Sequence, residues 1–346
     1  LKIKNLSAQN FKGCDFFMTD ISGIEISDVF GLSEPLSKLI DVASAACGKV
    51  YEPLHIKKLA DAKAYEIKKI SEAIESTTNL ASHYADGQVN VANQIPLTLE
   101  ERAKNRVTFQ EIQKQQNVEA VVVNAYKELE NESEVSPEPV NKDWILRFFN
   151  SIEDISDKDM QELWGKVLAG EIKKPMSYSL RTLEKLRNLS KNEAFLFQKV
   201  YKNSFTIKGG DYALLRDTSV LASHQISYEN LLTLSDCGLL NIANYIEYTA
   251  RLSTRGAIVT ANKNYTIIGT SFDNNSEIKI PVYPFTLTGN EISQIIYNTS
   301  DKITPTMLIS VTDKLRNSYK NFGFHVFKID KYFDNKRGIT VGEEIY

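Results

Sequence analysis

The chain has 346 residues, 42% of them hydrophobic and 25% charged, with a formal net charge of −3. That length exceeds one small domain and allows a sizeable core, while the composition excludes the collagen-like and disordered classes. The near-neutral charge excludes a global attraction to nucleic acid or anionic lipid, so any such binding must come from a local patch. Cys14, Cys47 and Cys237 are odd in number and far apart, which fits neither a disulfide framework nor a zinc ligand set and predicts a reducing compartment. The first twenty residues lack the signature of a secretion signal, and no apolar run reaches the roughly 18 residues that span a bilayer. The expectation is a soluble, cytoplasmic protein.

Residues 1–35 alternate weakly and are interrupted by Gly13, Gly23, Gly31 and Pro35, so they supply at most short strands or a draped arm. Over 36–50, Leu36, Leu39, Ile40, Ala43, Ala46, Cys47 and Val50 share one helical face. A packed helix is expected there, with a membrane-active or partner-binding amphipathic helix as the alternative. Residues 54–85 read as a long helix in which Ile67, Ile70, Ile74, Thr77, Ala81 and Tyr84 follow the three-and-four spacing of a coiled-coil seam. After a break at 86–96, Thr98 and Glu101 form a capping box that launches a second helix to about residue 132. Its apolar stripe, Ile112, Val118, Val122, Tyr126 and Leu129, is thin, so it must pair within the chain or between subunits.

The stretch 128–140, ELENESEVSPEPV, is acidic and proline-containing and reads as a linker. Three short helices follow. Trp144, Ile145, Phe148, Phe149 and Ile152 make one stripe, and Met160, Leu163, Trp164, Val167 and Leu168 make another behind a cap of Ser156 with Asp159. Gly170 is placed to end that helix in a left-handed turn, with Pro175 behind it. Ser179 can start the third helix, and Ser190 with Glu193 caps a fourth turn of chain carrying Phe195, Phe197 and Val200. Beyond 201 helices and strands interleave: a helix and a Gly238 turn over 227–240, strands at 265–270 and 277–282, helices at 286–297 and 304–320, and a strand at 322–329. The expected fold is mainly α with a C-terminal α+β unit. It comprises an N-terminal arm and short helix (1–53), a long helical hairpin or coiled coil (54–135), a helical core (136–204) and a winged-helix-like unit (205–346).

No phosphate-cradling loop, dinucleotide fingerprint or nucleophile elbow is present, and His55, His83, His224 and His325 stand isolated. No catalytic residue, metal site or cofactor is expected. Asp157 and Asp159 fit a helix start better than a magnesium site. The strongest electrostatic feature is the basic run over 166–202, in which Lys173, Lys174, Arg181, Lys185, Arg187 and Lys191 are the candidates for contact with a partner or with nucleic acid. Tyr178 is its one exposed ring, which is too little stacking surface to favour nucleic acid. The competing expectation is that these bases meet the acids of 128–162, within the chain or across a subunit boundary. Ile67, Ile70, Ile74, Ala81, Tyr84, Val122 and Tyr126 are the candidate oligomerisation residues, making a homo-oligomer, with an unknown protein partner, the expected assembly. In the helix after Thr288, Asn290, Glu291, Ser293 and Gln294 carry no base with which to read DNA.

Trp144 with Phe148 and Phe149, ELWGKVLAGEI over 162–172, Pro175, and SYSLRTLEKL over 177–186 resemble an uncharacterised bacterial domain-of-unknown-function family. GLSEPLSKLI over 31–40 and QQNVEAV over 115–121 share the likeness. The helical centre with LTG at 287–289 is also similar in layout to abortive-infection alpha proteins. The first resemblance carries no assigned catalytic residue; the second implies a bacterial, phage-defence context. Together they lead to a non-enzymatic, self-associating protein, with a nucleic-acid-binding regulator or nuclease as the alternative and a membrane-perturbing effector through 36–50 as a weaker one.

Overall fold

The computed structural model describes residues 33–47, 82–85, 88–91, 98–207, 210–274, 276–299, 303–333 and 338–346. Ile67, Ile70, Ile74, Thr77 and Ala81 of the expected coiled-coil seam lie outside them. The helices are α1 (Glu34–Cys47), α2 (Leu99–Leu129), α3 (Lys142–Ile152), α4 (Lys158–Lys173), α5 (Leu180–Arg187), α6 (Lys191–Lys202), α7 (Thr218–Ser223), α8 (Tyr228–Asp236), α9 (Leu287–Thr299) and α10 (Thr306–Ser318). The strands are β1 (Ser82–Ala85), β2 (Gln88–Val91), β3 (Phe205–Thr206), β4 (Tyr212–Leu215), β5 (Ile246–Leu252), β6 (Ala257–Ala261), β7 (Tyr265–Thr270), β8 (Ser276–Pro284), β9 (Gly323–Phe333) and β10 (Gly338–Glu344).

This arrangement overturns the mainly α, winged-helix expectation. Eight strands form one antiparallel sheet in the order β10-β9-β7-β6-β3-β4-β8-β5, so the protein is of mixed α and β class. A winged helix carries only a small sheet beside its helices, whereas here short and long strands are sewn together across distant parts of the chain: β4 pairs with β8, Leu214 opposite Tyr283. The long coiled-coil reading also fails at its end. Residues Ser82–Ala85, with Tyr84 among them, are strand β1, paired antiparallel with β2.

Local signals decided most helix starts. Thr98 accepts from the Glu101 N–H and Glu101 reciprocates, as do Ser190 and Glu193; Ser179 accepts from Thr182. The start of α4 is set instead by Asp157, whose carboxylate accepts from the Asp159 and Met160 N–H groups. Asp157→Ala should therefore lower the midpoint of urea unfolding; an unchanged midpoint would show that the cap is idle.

One hydrophobic cluster runs from α1 through the helices into the sheet. Trp144 stacks on Phe148, which meets Trp164 edge-on, at its helical end, where Trp144 Nε1–H also donates to the Tyr178 carbonyl at 2.8 Å. Phe197 meets Phe285 where α6 reaches the sheet, and α10 covers β7 and β9 with Met307, Leu308, Val311 and Leu315. Helix α9, arriving straight from β8, packs on α4, α5 and α6 and joins the two halves. The acidic stretch read as a linker is packed as a strap: the Ser136 N–H donates to the Lys173 carbonyl, Lys38 Nζ donates to the Ser136 and Glu138 carbonyls, and Val140 is buried.

Candidate functional site

The family-like motif folds into an anchored turn at the end of α4. Gly170 does not end the helix, which runs on to Lys173; it is glycine because any Cβ there would sit 2.7 Å from the Tyr178 hydroxyl. The left-handed residue is Met176, with φ 66°. Tyr178 is buried rather than exposed, and burial pushes its phenol well above the ordinary value. Glu171, 1% exposed, accepts from the Met176 N–H at 2.7 Å and the Tyr178 N–H at 3.1 Å. From α9, Glu291 accepts from the Ser179 N–H at 2.8 Å and the Thr182 hydroxyl at 2.6 Å. These two acids are structural clamps. Asn290 accepts from the Tyr212 N–H and the buried Ser293 hydroxyl donates to the Gly289 carbonyl, so these two polar residues of α9 serve packing, while Gln294 is exposed.

The basic candidates do not converge. Lys173 pairs with Glu132, Arg187 with Asp154, and Lys191 with both Asp157 and Asp159. The Lys185 ammonium lies beside Gly238. Lys174 and Arg181 form no ion pair among the described residues. Three of the six bases thus meet acids of the preceding 128–162 stretch, and the surface has alternating signs. Of the oligomerisation candidates that are described, Val122 is fully buried in the chain's own core and Tyr126 is packed against that core. The side chain at Tyr84 is not described.

What these contacts leave open is a groove of about 210 Å³ between α4, α6 and α9. Its floor is Met160, Leu189, Phe197, Ile292, Ile295 and Ile296, all buried. Its lips are Leu163, Ala194 and Phe195, and its rim carries Asp159, Glu162, Lys166 and Lys191. The α4 N-cap and the α6 capping box place the two lips, and Lys191 latches the helix starts together. The backbone N–H of Met160 and then the Lys191 ammonium hold the Asp157 carboxyl below its usual value, and the carboxylates of Asp159 and Asp157 raise Lys191. Phe195 is 52% exposed, with the Lys191 ammonium 5.8 Å from its ring centroid. One sequence signal pointed here: Phe195 and Phe197 are two apart in a helix, so they cannot share a face and one must point outward.

The groove is smaller than the roughly 300–1,000 Å³ of drug-sized ligand pockets, and its volume is about that of one large apolar side chain. Among the described residues no group of three or more His, Cys, Asp or Glu side chains is arranged to hold a metal ion, and no helix is long and apolar enough to cross a membrane.

No curated protein and no solved structure matches the chain. A family model described as a protein of unknown function, DUF2806, matches residues 101–308. That span takes in α2 through the start of α10, hence the anchored turn, the groove and most of the sheet. The chain therefore belongs to the DUF2806 family.

Proposed function

We propose that the protein works by binding another polypeptide, with the groove between α4, α6 and α9 as its docking point, and that it acts through this contact rather than by a reaction of its own. The observation that carries the reading is an apolar floor of three isoleucines beside a half-exposed phenylalanine, ringed by charges of both signs. An interface of this form takes an aromatic or aliphatic anchor at its centre, with a polar rim for orientation. The pairing of Lys173, Arg187 and Lys191 within the chain favours a protein over a nucleic acid as the ligand. A phage-defence setting rests on the layout likeness to abortive-infection alpha proteins and adds no residue to the site.

The test is selection of a random peptide library on the whole protein, with competition by Ala194→Arg, whose long side chain would fill the groove. Peptides carrying a Phe, Trp or Leu anchor should be enriched and should lose at least about tenfold in affinity on the variant, equivalent to about 1.4 kcal/mol. Enriched peptides without such an anchor, or with equal affinity for the variant, would overturn the reading.

A further inference from the structure

We propose that the occupant of the groove is the projecting end of α2 from a second copy of this chain, exchanged reciprocally; this rests on the groove being a protein-docking site. Helix α2 has 31 residues and is about 46 Å long at 1.5 Å per residue. Its buried residues begin only at Val118. The preceding turns form an arm on which Phe109 is 57% and Val107 50% exposed. Leu99, Arg102, Arg106 and Phe109 fall on one face of that arm, turned roughly a third of a revolution from the Val118–Val121–Val122–Ala125 stripe that packs on the body. An apolar side chain held out in this way is poorly used in a lone subunit.

The base of the arm is held beside the start of α4, the helix that lines one side of the groove. Asn117 Nδ2 donates to the Glu153 carbonyl, Gln161 Nε2 approaches Asn117, and Lys114 pairs with Glu153. The arm therefore passes the start of α4, where Asp159 and Glu162 form the acidic part of the groove's rim. With reciprocal exchange about a two-fold axis, each arm would enter the other's groove, a closed arrangement. The charges match as well as the shapes. Arg102 and Arg106 form no ion pair among the described residues, and neither does Glu162. With Phe109 seated between Leu163, Ala194 and Phe195, the arginines one and two turns before it would run toward Glu162 and Asp159. Lys166, one turn further along α4, disfavours the opposite direction.

Sedimentation velocity on the full chain tests this. Wild type should sediment as a dimer, and Phe109→Glu and Ala194→Arg should each halve the mass. An equimolar mixture of the two variants should associate again, since one retains the groove and the other the arm. Glu162→Arg should weaken the dimer by at least tenfold, and adding Arg106→Glu to it should restore the lost affinity; this second pair decides the matter if Ala194→Arg fails to fold. A monomeric wild type, dimers unaffected by the single changes, or a mixture that stays monomeric would overturn exchange. If wild type is monomeric while selected peptides still require an open groove, only self-occupancy falls. If peptide binding ignores the groove, both readings fall.

Discussion

Gly165→Val is expected to abolish cooperative folding. At Gly165, α4 crosses α2 so closely that a Cβ would lie 2.5 Å from the Cβ of Asn124, 3.0 Å from the Ala125 nitrogen and 3.0 Å from the Asn124 carbonyl carbon. Two of those atoms are helix backbone, which cannot swing aside as a side chain can. Overpacking into a side chain costs about 1–3 kcal/mol, and separating two backbones adds the loss of the Val121, Val122, Trp164 and Leu168 packing. Against a total stability of about 5–15 kcal/mol, valine should exhaust most of the margin, and alanine should cost about 3 kcal/mol or more. Thermal melts followed by circular dichroism would show it. An Ala variant melting with wild type would mean that the helices separate freely and that the tight crossing is not needed.

The second large effect is expected at Glu171. Its carboxylate accepts from the Met176 and Tyr178 N–H groups in a setting 1% exposed. Glu171→Ala leaves the buried Tyr178 donor unanswered, at about 1–3 kcal/mol, and the part-buried Met176 donor at about 1 kcal/mol, so a loss of about 2–4 kcal/mol is expected. The pH dependence separates this from simple loss of packing. Burial pushes the Glu171 carboxyl above its ordinary value, against the opposing pull of the backbone N–H groups of Met176, Tyr178 and Ser177. A folded value above the unfolded one means that the native state binds the proton more tightly, so this group's contribution to stability falls as pH rises from the ordinary glutamate value through the raised one. Glu171→Gln, which cannot titrate, should remove that slope, as seen by comparing urea midpoints across mildly acidic pH. A slope retained in the Gln variant would assign it to another group.

The helical half of this protein was legible because its signals are local. Thr98 with Glu101 and Ser190 with Glu193 each announce a helix start within four residues, and the stripes of α3 and α4 repeat over short distances. Near misses had local causes too. Asp157 outcompetes Ser156 as a cap because a carboxylate accepts two N–H groups at once, and Gly170 is small because Tyr178 lies over it, not because the backbone turns there. The sheet was much less legible. Strands β3 and β4 contribute two and four residues, too few for a period-two pattern, and they exist because β6 and β8 flank them.

The candidate site divides in the same way. The sequence by itself determined the amphipathic faces, most of the caps and the presence of acids near bases, since each depends on residues within a turn or two of helix. Only the tertiary structure decided that Lys173, Arg187 and Lys191 find acids of the preceding stretch, that Glu171 and Glu291 clamp a turn, and that Ile292, Ile295 and Ile296 floor a groove opened by α4 and α6. Those outcomes depend on which elements lie side by side, and that is set by the burial of one shared core across the whole chain.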